Sequence, residues 1–398
     1  MREDELQVLG TSTNNKNLKK KVIAIIAILV IAIGALYFGV IHSQQPEKIK
    51  TGKKIGDPTI VPELQAAADS LLNAKLTEIN GLQGQAIVME VQTGEILAMV
   101  GRERNFEGKF QTCDNFAYQQ ELGSLMSTVS LLAALETGNV KINDEVDVGS
   151  GVWPVDDERL MKDHNWYQGG YGMITFEEAL RFNSNIGIGK AVVKAFGSNP
   201  QHFYDMLDKM SYGLPVSIDG IEGLIPTSYS SPKDVDWAIY KIWWSAIGYE
   251  RKIAPIQMLA FYNAIANKGK MVKPTLKTGE IEIINPQIAS KANIDIMQVV
   301  LEHVVSQGLG KKAGTPILRV AGKNGASQVA EYDFGDDNYV DEYQVAFCGY
   351  FPADQPKYSI IVSLNKLGLP ASSGGMAGVV FHDIVEWMIA HNMPSVSY

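Results

Sequence analysis

Val22 to Ile41 reads VIAIIAILVIAIGALYFGVI, 20 residues without a charge. That length crosses a bilayer as a helix, and a helix buried in a globular core rarely stays apolar on every face for so long. The run predicts a transmembrane anchor. Lys19, Lys20 and Lys21 abut its start and His42, Ser43 and Gln44 follow it, which favours a cytoplasmic N-terminus, though Lys48, Lys50, Lys53 and Lys54 weaken the asymmetry. No small-residue cleavage site clearly follows, so the expectation is an uncleaved, single-pass anchor in the cytoplasmic (inner) membrane, with the C-terminal domain extracytoplasmic. The chain then divides into a polar, Asn-rich cytoplasmic tail (1–21), the anchor (22–41), a linker (42–58) and a folded domain (59–398).

Across 398 residues, 46% are hydrophobic and 20% charged, an ordinary globular balance. The net charge of -9 argues against a nucleic-acid partner, which would select a basic face. Cys113 and Cys348 form no CxxC pair, and the six histidines show no metal-binding spacing, so neither a metal nor another cofactor is expected. The favoured reading of the two cysteines is small buried hydrophobes; the other is one disulfide, which an extracytoplasmic compartment permits.

Ala66 to Leu76 is helical in pattern. Gln85–Glu90 and Ile96–Val100 flank Gln92-Thr93-Gly94-Glu95, a hairpin signal. After Gly123-Ser124, apolar residues at Leu125, Met126, Val129, Leu132 and Leu135 predict a helix that Gly138 stops. Thr175-Phe-Glu-Glu178 is a capping box. Further helices are expected over Ala254–Ala266 and Ile294–Val305, with Trp243-Trp244 in a helical core. Strands are expected over Ile317–Val320, Gln344–Tyr350 and Tyr358–Leu364, an acidic hairpin tip over Asp333–Glu342, and an amphipathic closing helix over Val379–Ala390. Strands come first and last and helices fill the middle. The economical fold is α+β: one antiparallel sheet built from both ends of the domain, packed by helices, with a helical subdomain inserted.

Several segments, in order, carry a resemblance. Asn115-Phe-Ala, then Glu121-Leu-Gly-Ser124, then Leu131-Leu-Ala-Ala-Leu-Glu136-Thr-Gly are similar to an EPGSTFK…ALE-G pattern. Gly170-Tyr-Gly-Met-Ile-Thr175, Ala179-Leu and Asn183-Ser-Asn185-Ile-Gly187 are similar to GYG-T…A--SSN-G. Ser245-Ala-Ile-Gly248, Pro255-Ile-Gln-Met-Leu-Ala260 and Ala264-Ile-Ala-Asn-Lys-Gly269 match SIG…P-Q-A…AIAN-G. Gly322-Lys-Asn-Gly325 stands where KTG is usual, and Phe347-Cys-Gly-Tyr-Phe-Pro-Ala-Asp354 with Pro356-Lys-Tyr358 matches F-GFFPAD-PKY. Over about residues 80 to 390 the chain resembles the transpeptidase domain of penicillin-binding proteins, the class B, monofunctional kind, with its serine β-lactamase-like fold.

The resemblance implies a helix-start serine, here Ser124, that attacks a D-Ala-D-Ala peptide carbonyl or a β-lactam. A serine hydroxyl is a poor nucleophile without a base in reach. Three residues on shares the helix face, and the family puts lysine there. Ser127 occupies that position, and a hydroxyl cannot hold the proton near neutral pH. Asn183 replaces a relay serine or tyrosine. Asn185 is retained, and the resemblance has it hold the lysine and the substrate amide, with Ser184 pointing elsewhere. Lys323 would set positive charge beside a substrate carboxylate, Asn324 would stand in for a threonine, and Gly325 would let a ligand approach the strand edge. A backbone N–H at Ala326–Ser327 would complete an oxyanion hole with that of Ser124. Lys323 could replace the base only with a lowered pKa, of which the sequence carries no sign.

The bland reading of Ser124, an ordinary helix N-cap, is favoured over a reactive nucleophile. His164 and Trp166 border the expected cleft and are read as packing residues rather than cleft lining. The favoured function is an impaired, transpeptidase-like protein of peptidoglycan synthesis, acting as scaffold or regulator with cell-wall synthesis or division proteins as partners. The alternative is an active D,D-transpeptidase acylated at Ser124 with altered base chemistry. Peptidoglycan stem peptides and β-lactams are the implied ligands. The linker, fully extended, reaches less than ~70 Å, so the domain is expected close to the membrane.

Overall fold

The computed structural model describes residues 59–213, 218, 221, 224–249, 251–277, 281–333 and 339–393. The apolar run Val22–Ile41, the tail and the linker lie outside the described residues, and among the described residues no helix is long and apolar enough to cross a membrane.

Helix α1 (Pro62–Glu78) leads into strands β1 (Gly81–Glu90), β2 (Ile96–Arg104) and β3 (Phe110–Thr112), and α2 (Leu125–Glu136) follows. Helices α3 (Phe176–Arg181), α4 (Asn185–Phe196), α5 (Gln201–Lys209), α6 (Lys241–Ala246), α7 (Pro255–Ala266) and α8 (Lys291–Ser306) fill the middle. Strands β4 (Ala321–Asp333), β5 (Tyr339–Phe351) and β6 (Tyr358–Leu367) return to the sheet, and α9 (Ala377–Ala390) closes the chain. The six strands pair antiparallel in the order β4-β5-β6-β1-β2-β3. Both ends of the domain therefore build one sheet, as the pattern of strands first and last implied.

Strand alternation sorts the side chains onto two faces. Ala86, Val88, Val345, Phe347, Ile360 and Val362 meet α1 and α9 on one face. Ile87, Met89, Ala346, Cys348, Tyr350 and Ile361 meet α2 and α7 on the other. All twelve residues of α7 are buried, and so is all of α2 from Leu125 to Leu135. A helix enclosed on every side needs no polar stripe, which is why α2 tolerates Ser127, Thr128 and Ser130 only where partners or a cleft receive them.

The capping box at Thr175 forms as read: its hydroxyl accepts from Glu178 N–H and Glu178 accepts from Thr175 N–H. Trp243 and Trp244 pack partly buried against the helical core. Two expectations are corrected. Ile317–Val320 is not a strand; β4 begins at Ala321, opposite Tyr350. Its partner strand ends one residue later, and Pro352 has no N–H to continue the ladder, so Ala353 N–H alone reaches back to Arg319. The acidic stretch Asp333–Glu342 is not all tip: pairing runs out to Asp333 opposite Tyr339, and Asp341 and Glu342 lie within β5. Cys113, just after β3, and Cys348 of β5 are both free thiols; Cys348 is a buried hydrophobe as the favoured reading has it, whereas Cys113 is only half-buried.

Candidate active site

Ser124 stands directly before α2, with φ −66° and ψ 2°. A serine there ordinarily turns its hydroxyl onto an N–H of the first helical turn. Ser124 makes no such bond, because that turn closes on backbone: Met126 N–H donates to Gly123 O at 3.0 Å and Ser127 N–H to Ser124 O at 3.2 Å. The expectation of an ordinary cap is therefore corrected. The hydroxyl is left free of local structure although the residue is buried.

Strand β4 passes backbone to backbone against this turn. Gly123 has φ +54°, and a β-carbon on it would lie 2.3 Å from Ala326 O. One on Gly325 would lie 2.4 Å from Leu122 O. Ser327 Oγ donates to Glu121 O at 2.5 Å, pinning the strand to the segment that ends in Ser124. From behind, Tyr262 of α7 donates to Leu125 O at 2.9 Å, and its hydroxyl lies 2.8 Å from Thr128 Oγ1. Ser130 Oγ donates to Ala246 O. Ser127, only 3% exposed, has no side-chain hydrogen bond among the described residues.

Lys323 departs from its expected role. It is 0% exposed, and its Nζ donates to Asn183 Oδ1 at 2.7 Å, Asn324 O at 2.7 Å and Asn324 Oδ1 at 3.2 Å. Its charge lies one layer behind the two asparagines rather than open to a carboxylate. Burial lowers its pKa to about 7, because a desolvated ammonium is disfavoured. No hydrogen bond joins it to Ser124 among the described residues. Asn324 Nδ2 continues the network to Ser373 Oγ at 3.3 Å.

The turn before α4 brings Asn183 to Lys323. Asn183 has φ +58°, a left-handed conformation that asparagine tolerates better than most residues. Ser184 caps α4 by accepting from Gly187 N–H at 3.0 Å and donates to Asp163 Oδ2 at 2.6 Å, so it does point away from the cleft. Asn185 is not brought to a lysine: its Nδ2 donates to Lys162 O at 2.9 Å. His164 Nε2 lies 3.1 Å from Phe182 O and 2.8 Å from Tyr171 Oη, and Trp166 is half-exposed with Lys162 Nζ over its ring. Both side chains are exposed, so the expectation that they are packing residues is corrected.

Asp163, Tyr262 and Ser373 escaped the sequence reading. None belongs to a spaced motif; each meets the site through tertiary contact alone. Among the described residues no cluster of histidine, cysteine and carboxylate side chains could hold a metal.

Comparison with known proteins agrees with the fold. The family model of the penicillin-binding protein transpeptidase domain matches residues 84–386. Stage V sporulation protein D of Bacillus subtilis is 26% identical over 339 residues, 78% of this chain and 49% of its own length. Penicillin-binding protein PbpB of Mycolicibacterium smegmatis is 25% identical over 349 residues, 78% and 50% respectively. The chain thus spans about half the length of these curated relatives. The apo transpeptidase domain of Burkholderia pseudomallei penicillin-binding protein 3 superposes with a TM-score of 0.71 at 25% identity, covering 86% of this chain and 98% of that one. With the interleaved sheet, the helix opened by Ser124 and the Lys323 strand laid against it, the match over 84–386 settles the kinship: the chain belongs to the penicillin-binding protein transpeptidase domain family.

Proposed function

We propose that this is a membrane-anchored, transpeptidase-like protein of peptidoglycan synthesis whose cleft holds D-alanine-ended stem peptides or β-lactams without efficient acylation. It serves as a scaffold or regulator among cell-wall synthesis or division proteins. One observation carries the reading. The three hydrogen bonds of the Lys323 ammonium go to Asn183 and Asn324, and Ser127 offers a hydroxyl where a base would stand. A base must lie within hydrogen-bond reach of the proton it takes, and losing one costs about 10²–10⁴-fold.

The anchor at Val22–Ile41 supports an extracytoplasmic site, after a cytoplasmic tail and before a short linker. A cell-wall substrate is supported by relatives such as the peptidoglycan D,D-transpeptidase FtsI homolog of Mesostigma viride, 24% identical over 371 residues. The Ser124 and Ser327 backbone N–H groups remain candidates for an oxyanion hole, since backbone donors do not depend on side-chain identity.

A second reading, an active D,D-transpeptidase, draws on a different observation: with its pKa at about 7, part of Lys323 is a neutral amine near neutral pH. Titrating an acyl-D-alanyl-D-alanine peptide into the isotope-labelled domain separates the two. Saturable, reversible shifts with the peptide intact are expected. Absence of binding contradicts the first reading, and cleavage of the peptide favours the second.

A further inference from the structure

We propose that Asp163 and His164 are positioning residues that hold Asn183 against Lys323 by gripping both of its chain neighbours. On one side, His164 Nε2 lies 3.1 Å from Phe182 O, with Tyr171 Oη 2.8 Å from the same nitrogen. On the other, the Asp163 carboxylate accepts from Ser184 Oγ at 2.6 Å and from Ile186 N–H at 3.0 Å. Lys162 adds its carbonyl to Asn185 Nδ2 at 2.9 Å. Three consecutive residues of one segment thus fix residues 182, 184, 185 and 186, and the left-handed Asn183 is suspended between them.

Helix capping alone does not explain this. Ser184 already caps α4 through Gly187 N–H. A carboxylate 1% exposed is costly unless its charge is answered, and here the start of the twelve-residue α4 and a hydroxyl answer it. Burial still raises the Asp163 pKa despite those donors. What the grip secures is the placement of Asn183 Oδ1, 2.7 Å from Lys323 Nζ. The positioning role is independent of whether the cleft binds a peptide.

The test reads the lysine itself. In lysine-labelled protein the Lys323 side-chain resonances are followed through pH in wild type, Asp163→Ala, Asp163→Asn, Ser184→Ala and His164→Ala. An acceptor favours the charged amine, so its displacement lowers the Lys323 midpoint, by about half a pH unit in Asp163→Ala. Asn in place of Asp163 can accept from Ile186 N–H and donate to Ser184, and is expected to restore the wild-type midpoint. His164→Ala is expected to shift it the same way by less. Should Asp163→Ala fail to fold, Ser184→Ala removes the same hydrogen bond from its other end. An unchanged Lys323 midpoint in the folded Asp163→Ala or Ser184→Ala protein overturns the proposal. A shifted midpoint in a domain that binds no peptide upholds it and counts only against the proposed function.

Discussion

Lys323 Nζ donates to the side-chain oxygen of Asn183 at 2.7 Å, across 140 residues of sequence. That bond ties β4, which lies against the Ser124 turn, to the turn that opens α4. It occupies the lysine with a neutral amide, which can neither carry a proton onward nor pass one to Ser124. A serine or tyrosine in place of Asn183 would make the same contact and remain a proton carrier.

Burial of Lys323 predicts a pH-dependent stability. Its folded pKa is lowered to about 7 from 10.5, so between those values the unfolded chain keeps a proton that the folded one has released. Stability therefore rises with pH across that window, and the penalty of the buried charge is complete below it. Urea unfolding from about pH 6.5 to about pH 8.5 should show wild type gaining about 1–2 kcal/mol more than Lys323→Met. Lys190 and Lys366, also lowered by burial, remain in both proteins and cancel. Equal pH slopes would refute the assignment.

The close approach of β4 to Ser124 predicts intolerance at Gly325. Alanine there would set its β-carbon 2.4 Å from a backbone carbonyl that cannot swing aside. Gly325→Ala should cost about 2–4 kcal/mol in urea unfolding. A loss under about 1 kcal/mol would mean the strand and the turn part easily.

Gln344 lies on the helical face of β5, 1% exposed, with both amide atoms unpartnered. A buried amide without partners is a liability, so Gln344→Met should raise stability by about 1 kcal/mol. A fall of similar size would indicate that the amide is satisfied by ordered water.

Ser127→Lys restores an amine one helical turn from Ser124. Because Ser127 is buried, the longer side chain should cost about 1–3 kcal/mol. Covalent labelling by a fluorescent penicillin should nonetheless rise in the variant relative to wild type. Labelling that stays flat while the variant remains folded would show that the missing base is not what limits the site.

Most of the architecture was written in local pattern. The β1–β2 hairpin, the Thr175 box, the mostly apolar α7 and the closing helix are each set by residues adjacent in sequence. Ile317–Val320 misled because its β-branched residues have no partner strand to meet beyond Pro352. At the site, the motif residues were legible by type and spacing, but their contacts were not. Nothing in Gly322-Lys-Asn-Gly325 reveals that Lys323 is enclosed, since its desolvation depends on Asn183, Asn324 and β5, assembled from three parts of the chain. Ser124 looked like a cap because the sequence does not disclose that backbone bonds already close that turn. Asp163 was invisible for the same reason: its partners lie 21 and 23 residues away.

Intact-mass spectrometry of the domain after incubation with a penicillin tests the central claim most directly. The account predicts a wild-type mass unchanged over times that fully acylate a lysine-bearing relative, with no adduct in wild type or in Ser124→Ala. A stoichiometric penicilloyl adduct mapped to Ser124, and lost in Ser124→Ala, would contradict it.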